Sequence, residues 1–305
     1  MSDDFMDRVA RRWQTADRLL PAPWPPGPDQ QVIEVPGACG VISHSTAEPG
    51  TPKPMWFAAD RFWLGPLIAG DDPGAAMDAL LAAWHRTIAP ELETAGPDSA
   101  CYVTYPSRED QVFPALGRHG LTPHVIIAAR PAKRSTPPGS AGTARVRRAT
   151  AGDLDAIGDI AVRQAREEQR YGTAWARPDA AAQVRREPEV LLREPDPWIW
   201  LAEVDGRPVG LVTLTPPEHN EWLHGYADHR PLAYLSTAYL DPTLRGGGIG
   251  AALANAAHQM LDEAGVALTL LHYAVLNPYS GPFWHRMGYR PLWTGWSARP
   301  ANRLR

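Results

Sequence analysis

The chain has 305 residues, 44% hydrophobic and 21% charged, with a formal net charge of -4. That length exceeds one ordinary domain, and acids and bases are interspersed, so two globular domains are expected and a general affinity for nucleic acid or an anionic membrane is not. Only Cys39 and Cys101 occur, which argues against a disulfide framework, and no segment is apolar enough to span a bilayer, so the expectation is a cytoplasmic protein.

In chain order, residues 1–28 read as an amphipathic helix, apolar through Phe5, Val9, Ala16 and Leu20, followed by the proline-rich PAPWPPGP. The helix carries too many charges for a signal peptide. Residues 29–131 form a first body, in which RFWLGPLIAG runs into DDPGAAMDALLAAW, and CYVTYPS is followed by a helix and GRHGLTPHVIIAARP. AKRSTPPGSAGT at 132–143 has the composition of a linker. The domain at 144–305 opens with a short strand at Val146 and a helix apolar at Leu154, Ile157 and Ile160, for which Asp153 is the expected N-cap. WIWLAEV and PVGLVTLTP flank Asp205-Gly206, a type I′ hairpin signal. Pro216 to Pro231 is longer than a hairpin turn and reads as a flap. Its His219, His224 and His229 match no common zinc spacing, and no metal is expected.

The stretch YLSTAYLDPTLRGGGIGAALANAAHQML, Tyr234 to Leu261, carries the chemistry. A strand breaks at Asp241-Pro242, and glycines precede an alanine-rich helix, so backbone N–H groups and the positive helix end are open to an anion. The absence of a lysine near Ile249-Gly250-Ala251 excludes a P-loop. Gly246, Gly248 and Ala251 fit GxGxxA, but only about 55 residues follow, too few for a second mononucleotide half. RxxGxG remains, at Arg245, Gly248 and Gly250.

That pattern resembles the acyl-CoA loop of the GNAT acyltransferase superfamily. The order of strand, helix, hairpin, glycine-loop strand, helix, strand, helix and GYRP turn is similar to a GNAT domain from about 143 to 300. The fold class expected is α/β with a mixed sheet, the intact domain being preceded by a degenerate relative of itself. Gly120 to Pro123 matches Gly288 to Pro291, 168 residues apart, and each copy closes with Arg-Pro, at Arg130-Pro131 and Arg299-Pro300. The first copy lacks the RxxGxG loop, and its expected role is to pack and to wall the acceptor pocket.

The resemblance implies acetyl-CoA as co-substrate, bound by Arg245, Gly246, Gly247, Gly248, Ile249, Gly250 and Ala251, with Asn277 on the pantetheine arm. It places the oxyanion N–H at Leu240 or its neighbour Tyr239. Attack by an alkylamine requires loss of a proton at a cost of roughly 4 kcal/mol at neutral pH, but the central strand Tyr234 to Ala238 holds no carboxylate. Ser236 and Thr237 can order a water, and Glu167, Glu168, Glu221 and His224 are base candidates, with Glu168 the choice. Trp284 stands where relatives place the tyrosine that protonates the leaving thiolate, which makes Tyr279 the nearest acid, with Tyr273 and His285 behind it. Carboxylates and aromatics at 164–179 suit a small-molecule amine acceptor. Twelve tryptophans, Trp198, Trp200, Trp293 and Trp296 among them, fit core packing or an aromatic acceptor pocket. A non-catalytic acyl-CoA binder and a protein acetyltransferase are the competing readings, and oligomeric state is not fixed by the sequence.

Overall fold

The computed structural model describes residues 2–48, 50–51 and 53–305. Helix α1 (Asp3–Ala16) starts at Ser2, whose hydroxyl accepts the Phe5 N–H at 3.3 Å, and it buries Val9 and Trp13. Leu20 is buried beyond the helix end. Strands β1 (Gln31–Val35), β2 (Ala38–Thr46) and β3 (Asp60–Ile68) are antiparallel, and α2 (Pro73–Thr94) carries the chain across to β4 (Ser99–Pro106), parallel to β3. The apolar stripe of α2, through Met77, Leu80, Leu81 and Trp84, packs with Phe62, Leu64 and Val103. Trp84 is fully buried, so truncating it to alanine costs about 3–5 kcal/mol. A short helix α3 (Phe113–Arg118) leads to β5 (Thr122–Pro131).

The second half begins with β6 (Arg145–Arg148), α4 (Leu154–Arg170) and α5 (Ala180–Leu191). Asp153 stands at the N-cap position of α4, as expected, but its side chain makes no capping bond there. Thr150 caps a turn of 3₁₀ helix at 151–153, and Asp153 closes the box by accepting the Thr150 N–H at 2.7 Å. Arg147 holds the same carboxylate at 2.7 and 2.9 Å and pushes its pKa far below the usual range. The hairpin β7 (Ile199–Val204) and β8 (Arg207–Thr215) turns on Asp205 and Gly206, φ +51° and +73°, as the type I′ signal requires. Strand β9 (Leu232–Leu240) pairs antiparallel with β8, then α6 (Ile249–Glu263) crosses to β10 (Leu268–Ala274), parallel to β9. Helix α7 (Ser280–Arg286) and β11 (Arg290–Ala298) complete the chain. Ile157, Ile160, Leu191, Ile199, Leu201 and Leu211 form the core between α4, α5 and the hairpin.

Both halves thus run strand, helix, parallel strand, short helix, strand. Gly120 after α3 and Gly288 after α7 both have positive φ, +81° and +86°, the left-handed conformation that ends a helix and releases a strand.

The compact units do not follow the halves. One holds the residues up to Ile127 with Gly225–Asp228 and Pro291–Arg305, and the other holds Ala128–His224 and His229–Arg290. The last strand joins the first unit because its backbone groups need a ladder, which β4 supplies in antiparallel register from Trp293↔Pro106 to Ala298↔Cys101. Cys39 and Cys101 are free and buried in that unit.

The segment expected as a linker belongs to the second unit and is tied along α6. The Lys133 N–H donates to Asp262 at 3.0 Å, the Thr136 hydroxyl to Asn255 at 2.7 Å, and the Asn255 amide returns to the Pro137 carbonyl at 2.9 Å. A Cβ on Gly248 would lie 2.8 Å from the Ser140 carbonyl oxygen. Positions 262, 255 and 248 are seven residues apart, on one helix face at intervals of about 10.5 Å. Three or four extended residues span the same distance at about 3.3 Å each, so 133–140 lies antiparallel on α6 as a strap.

Candidate active site

The site begins where β9 ends. The Asp241 carboxylate accepts the Thr243 N–H at 3.0 Å and its hydroxyl at 2.7 Å, fixing a turn of 3₁₀ helix at Pro242–Leu244. Gly246 and Gly248 follow with φ +89° and +90°. Gly248 is the N-cap of α6, and no side chain caps that end. The first helical bond runs from the Ala252 N–H to the Gly248 carbonyl at 3.0 Å, so the N–H groups of Ile249, Gly250 and Ala251 have no acceptor within the helix and project at its positive end.

Two features of β9 open the sheet beside this loop. Its parallel pairing with β10 stops at Leu235↔Leu271, so the two strands splay from Ser236 onward. Its pairing with β8 shifts register where Thr213 faces Thr237 and Leu214 faces Leu235, leaving Ser236 as an extra residue. Residues three apart on a regular strand face opposite sides. Across this bulge, Tyr239 packs on the α4–α5 core while Ser236 faces the Glu187 carboxylate of α5, its hydroxyl donating to the Thr213 carbonyl at 3.3 Å. The Asp241 N–H donates to the Val209 carbonyl of β8 at 2.9 Å. Alternation then turns the Tyr239 backbone toward β8 and the Leu240 backbone toward the splay, and the Leu240 carbonyl does accept Arg245 Nε at 3.1 Å. Of the two positions expected for an oxyanion donor, Leu240 presents its N–H to the opening.

A cavity of about 660 Å³ runs from the glycine loop along β9. Glu168, Ala238, Tyr239, Leu240, Asn277, Tyr279 and Trp284 line it, together with Arg245, Gly246, Gly248, Gly250 and Ala251. Gly247 and Ile249 belong to the loop and first helical turn without lining the cavity. Arg245 does not extend a free cation into the cavity. Its guanidinium makes a two-pronged pair with Glu167 at 2.8 and 2.7 Å, which ties the loop to α4 and commits that carboxylate. The Tyr279 ring, 61% exposed, lies 5.5 Å from the same guanidinium.

The three catalytic candidates are not brought together. Tyr279 sits at the Arg245 end, and Ser236 is four strand residues from Leu240, about 13 Å. Glu168 is half-buried and accepts the Thr173 hydroxyl, and burial raises its pKa. Asn277 is buried, and its amide oxygen caps α7 by accepting the N–H groups of Tyr279 at 3.0 Å and Ser280 at 3.3 Å. Trp284 is buried against Phe283 and Tyr289. Tyr273 bonds His285 at 3.1 Å, and burial pushes its pKa up to about 12. Glu221, His219 and His229 are exposed. No group of three or more His, Cys, Asp or Glu side chains able to hold a metal occurs among the described residues, and no helix among them is long and apolar enough to cross a membrane.

Residues 161–289 match the acetyltransferase (GNAT) family. Those residues form a GNAT domain. An uncharacterised N-acetyltransferase of Methanocaldococcus jannaschii is 29% identical over 108 residues, 35% of this chain and 46% of that protein, so the match spans about half the relative's length. A GCN5-related N-acetyltransferase from Sphaerobacter thermophilus superposes with a TM-score of 0.52 at 14% identity, over 87% of this chain and 78% of that one, a likeness of fold. One from Ralstonia eutropha is 28% identical over 48% of this chain and 93% of its own, with a TM-score of 0.38.

Glu187 escaped the sequence reading of this GNAT domain. It lies mid-helix in RREPEV, among charged residues that give no periodic signal, and only the tertiary fold brings it to the central strand.

Proposed function

We propose that the chain is an acyl-CoA-dependent N-acyltransferase that moves an acetyl group from acetyl-CoA to the primary amine of a small molecule by direct attack. The observation that carries this reading is the uncapped N-terminus of α6 opening onto the β9 cleft. The donor set suits a pyrophosphate: consecutive backbone N–H groups at a positive helix end, with glycines at 246 and 248 where φ is positive. Ile249, Gly250 and Ala251 would hold the diphosphate, Leu240 would meet the thioester oxygen, and Asn277 would flank the pantetheine arm. The thioester supplies an activated acyl carbon and a good leaving group.

Support for a small acceptor comes from the cavity size, within the ~300–1,000 Å³ of small-molecule sites, and from the anchoring of the flap. Asn220 is fully buried and donates to the Thr215 and Pro216 carbonyls at 2.6 and 3.0 Å, fastening the flap to the end of β8. Trp284 favours a second reading, an acyl-CoA binder without turnover, because indole cannot protonate a thiolate. Against it, CoA thiol has a pKa near that of free cysteine, about 8.5, and solvent can protonate it.

Calorimetry with acetyl-CoA, using Gly248→Trp as the blocked control, followed by thiol release over a panel of amines, tests the proposal. Binding lost in the variant and thiol released with some amine is the expected result. Binding without turnover by any amine selects the second reading, and no binding by the unmodified chain removes both.

A further inference from the structure

Beyond the glycine loop, polar and aromatic groups converge at the closed end of the splay. Thr215 is the cross-strand neighbour of Tyr234, and such neighbours share a face. Its hydroxyl donates to Glu187 at 3.4 Å, and Ser236, two residues along β9 from Tyr234, faces the same carboxylate while its hydroxyl donates to the Thr213 carbonyl at 3.3 Å. Strand β8 is regular here, so Leu211, Thr213 and Thr215 also share that face, and Leu211 packs in the α4–α5 core. Thr213 is 1% exposed and its hydroxyl has no protein partner, a buried polar atom of the kind that calls for an explanation. On the far side, the Tyr234 hydroxyl meets His272 Nδ1 at 2.9 Å. His272 is the first residue of β10 past the last paired position. Trp222 of the flap, half exposed, lies edge-on to Tyr234 at 5.0 Å and stacks with His272 at 6.2 Å.

We propose that Glu187, Ser236, Thr213 and Thr215 are the ammonium site of the acceptor, that Trp222 and the Tyr234–His272 pair wall its body, and that the acceptor is a primary amine on an aromatic or flat apolar group. This rests on the acyltransferase reading above. The acceptor ammonium gives one proton to the Ser236 oxygen while the Ser236 hydroxyl turns from the Thr213 carbonyl and passes its proton to Glu187. The freed nitrogen lone pair forms the N–C bond, the C–S bond breaks with its electron pair on sulfur, and the second nitrogen proton ends on the thiolate. Glu187 returns its proton to solvent. His272 does not oppose an ammonium, since burial lowers its pKa to about 4 and it is neutral at pH 7. The groups that face Glu187 and act on it are Ser236 from β9 and Thr215 from β8, and burial raises its pKa above the usual carboxylate range.

The test uses the full chain with acetyl-CoA and 2-phenylethylamine, tryptamine, n-butylamine and putrescine. The aromatic amines should exceed the alkylamines at least tenfold in kcat/KM. Glu187→Gln should lower kcat by about 10²–10³ with acetyl-CoA affinity and melting temperature unchanged. It should also lose the acid limb, in which the rate rises with pH as Glu187 ionises. Ser236→Ala should follow it in part, and Trp222→Ala should raise KM about tenfold for the aromatic amines alone. Turnover with Glu187→Gln within threefold of the parent and an unchanged pH profile overturns the proposal and leaves the acyltransferase standing, as does equal use of alkylamines with a silent Trp222→Ala. Acetyl-CoA binding with no amine consumed overturns both.

Discussion

Helices α2 and α6 each follow the strand that starts a parallel pair, one in each compact unit, and they begin in opposite ways. At α2 the Asp72 carboxylate accepts the Ala75 N–H at 2.9 Å and Pro73 removes a donor, so the helix end is satisfied by its own sequence. At α6 a glycine with φ +90° stands at the cap and no side chain reaches the free N–H groups. An N-cap carboxylate contributes about 1 kcal/mol to stability, and the second unit forgoes that contribution where an anion would be held. Both loops are otherwise pinned alike. Arg12 donates to the Gly70 carbonyl at 2.7 Å and to Glu109 at 3.3 Å, as Arg245 does to the Leu240 carbonyl and Glu167. The same slot in the two halves is thus closed by its own cap residue at α2 and left without a side-chain cap at α6.

Making α6 resemble α2 is the strongest way to break the comparison. Gly248→Asp places a carboxylate where the pyrophosphate would lie, and acetyl-CoA affinity should fall at least 100-fold, about 2.7 kcal/mol. Gly248→Ala carries the strain of a positive φ and the clash with Ser140 without the charge, and should lose only about tenfold by calorimetry. Equal losses would show that backbone shape, not an open positive helix end, decides binding.

The two Arg–Glu ties give a second contrast. Arg245–Glu167 is two-pronged, whereas Arg12–Glu109, buried to a similar degree, rests on one bond of 3.3 Å. Double-mutant cycles read by urea unfolding should give a coupling of about 1–2 kcal/mol for the first pair and below ~1 kcal/mol for the second.

Features set by local backbone chemistry were legible in the sequence. Asp205-Gly206 announced its turn because both residues must adopt positive φ, and the glycine run announced a break between strand and helix with no side chain to cap the helix end. What depends on distant partners was not legible. Nothing local says that Arg245 meets a glutamate 78 residues away, or that the last strand finds its ladder on β4. Proline, glycine and serine at 132–143 gave a linker composition, but composition does not reveal that Asp262 and Asn255 hold acceptors and donors along one helix face. The Asp153 side chain was placed one role away from its own, since a carboxylate three residues after a threonine serves either as cap or as its reciprocal partner.

The strap separates the units again, because α6 carries it to its open end. Asn255→Ala removes the bonds to Thr136 and Pro137 but lies two turns from Gly248, so it should cost about 1 kcal/mol in stability. Hydrogen exchange at 136–140 should rise, and acetyl-CoA affinity should weaken about threefold through the loosened Ser140 contact. Faster exchange with unchanged affinity would make the strap a packing element only.

The smallest effect on ligand binding belongs to Asp72→Ala, which opens α2 as α6 is open. It should lower stability by about 1 kcal/mol and leave acetyl-CoA affinity and stoichiometry at one site unchanged. An uncapped helix end alone is not a binding site: α2 lacks the glycines that let a diphosphate approach, since Ala69-Gly70-Asp71 replaces the RxxGxG run, and a Cβ on Gly74 would already lie 3.0 Å from the Gln111 carbonyl. A second equivalent of acetyl-CoA bound by Asp72→Ala would show instead that the carboxylate cap was all that kept the first unit from the ligand.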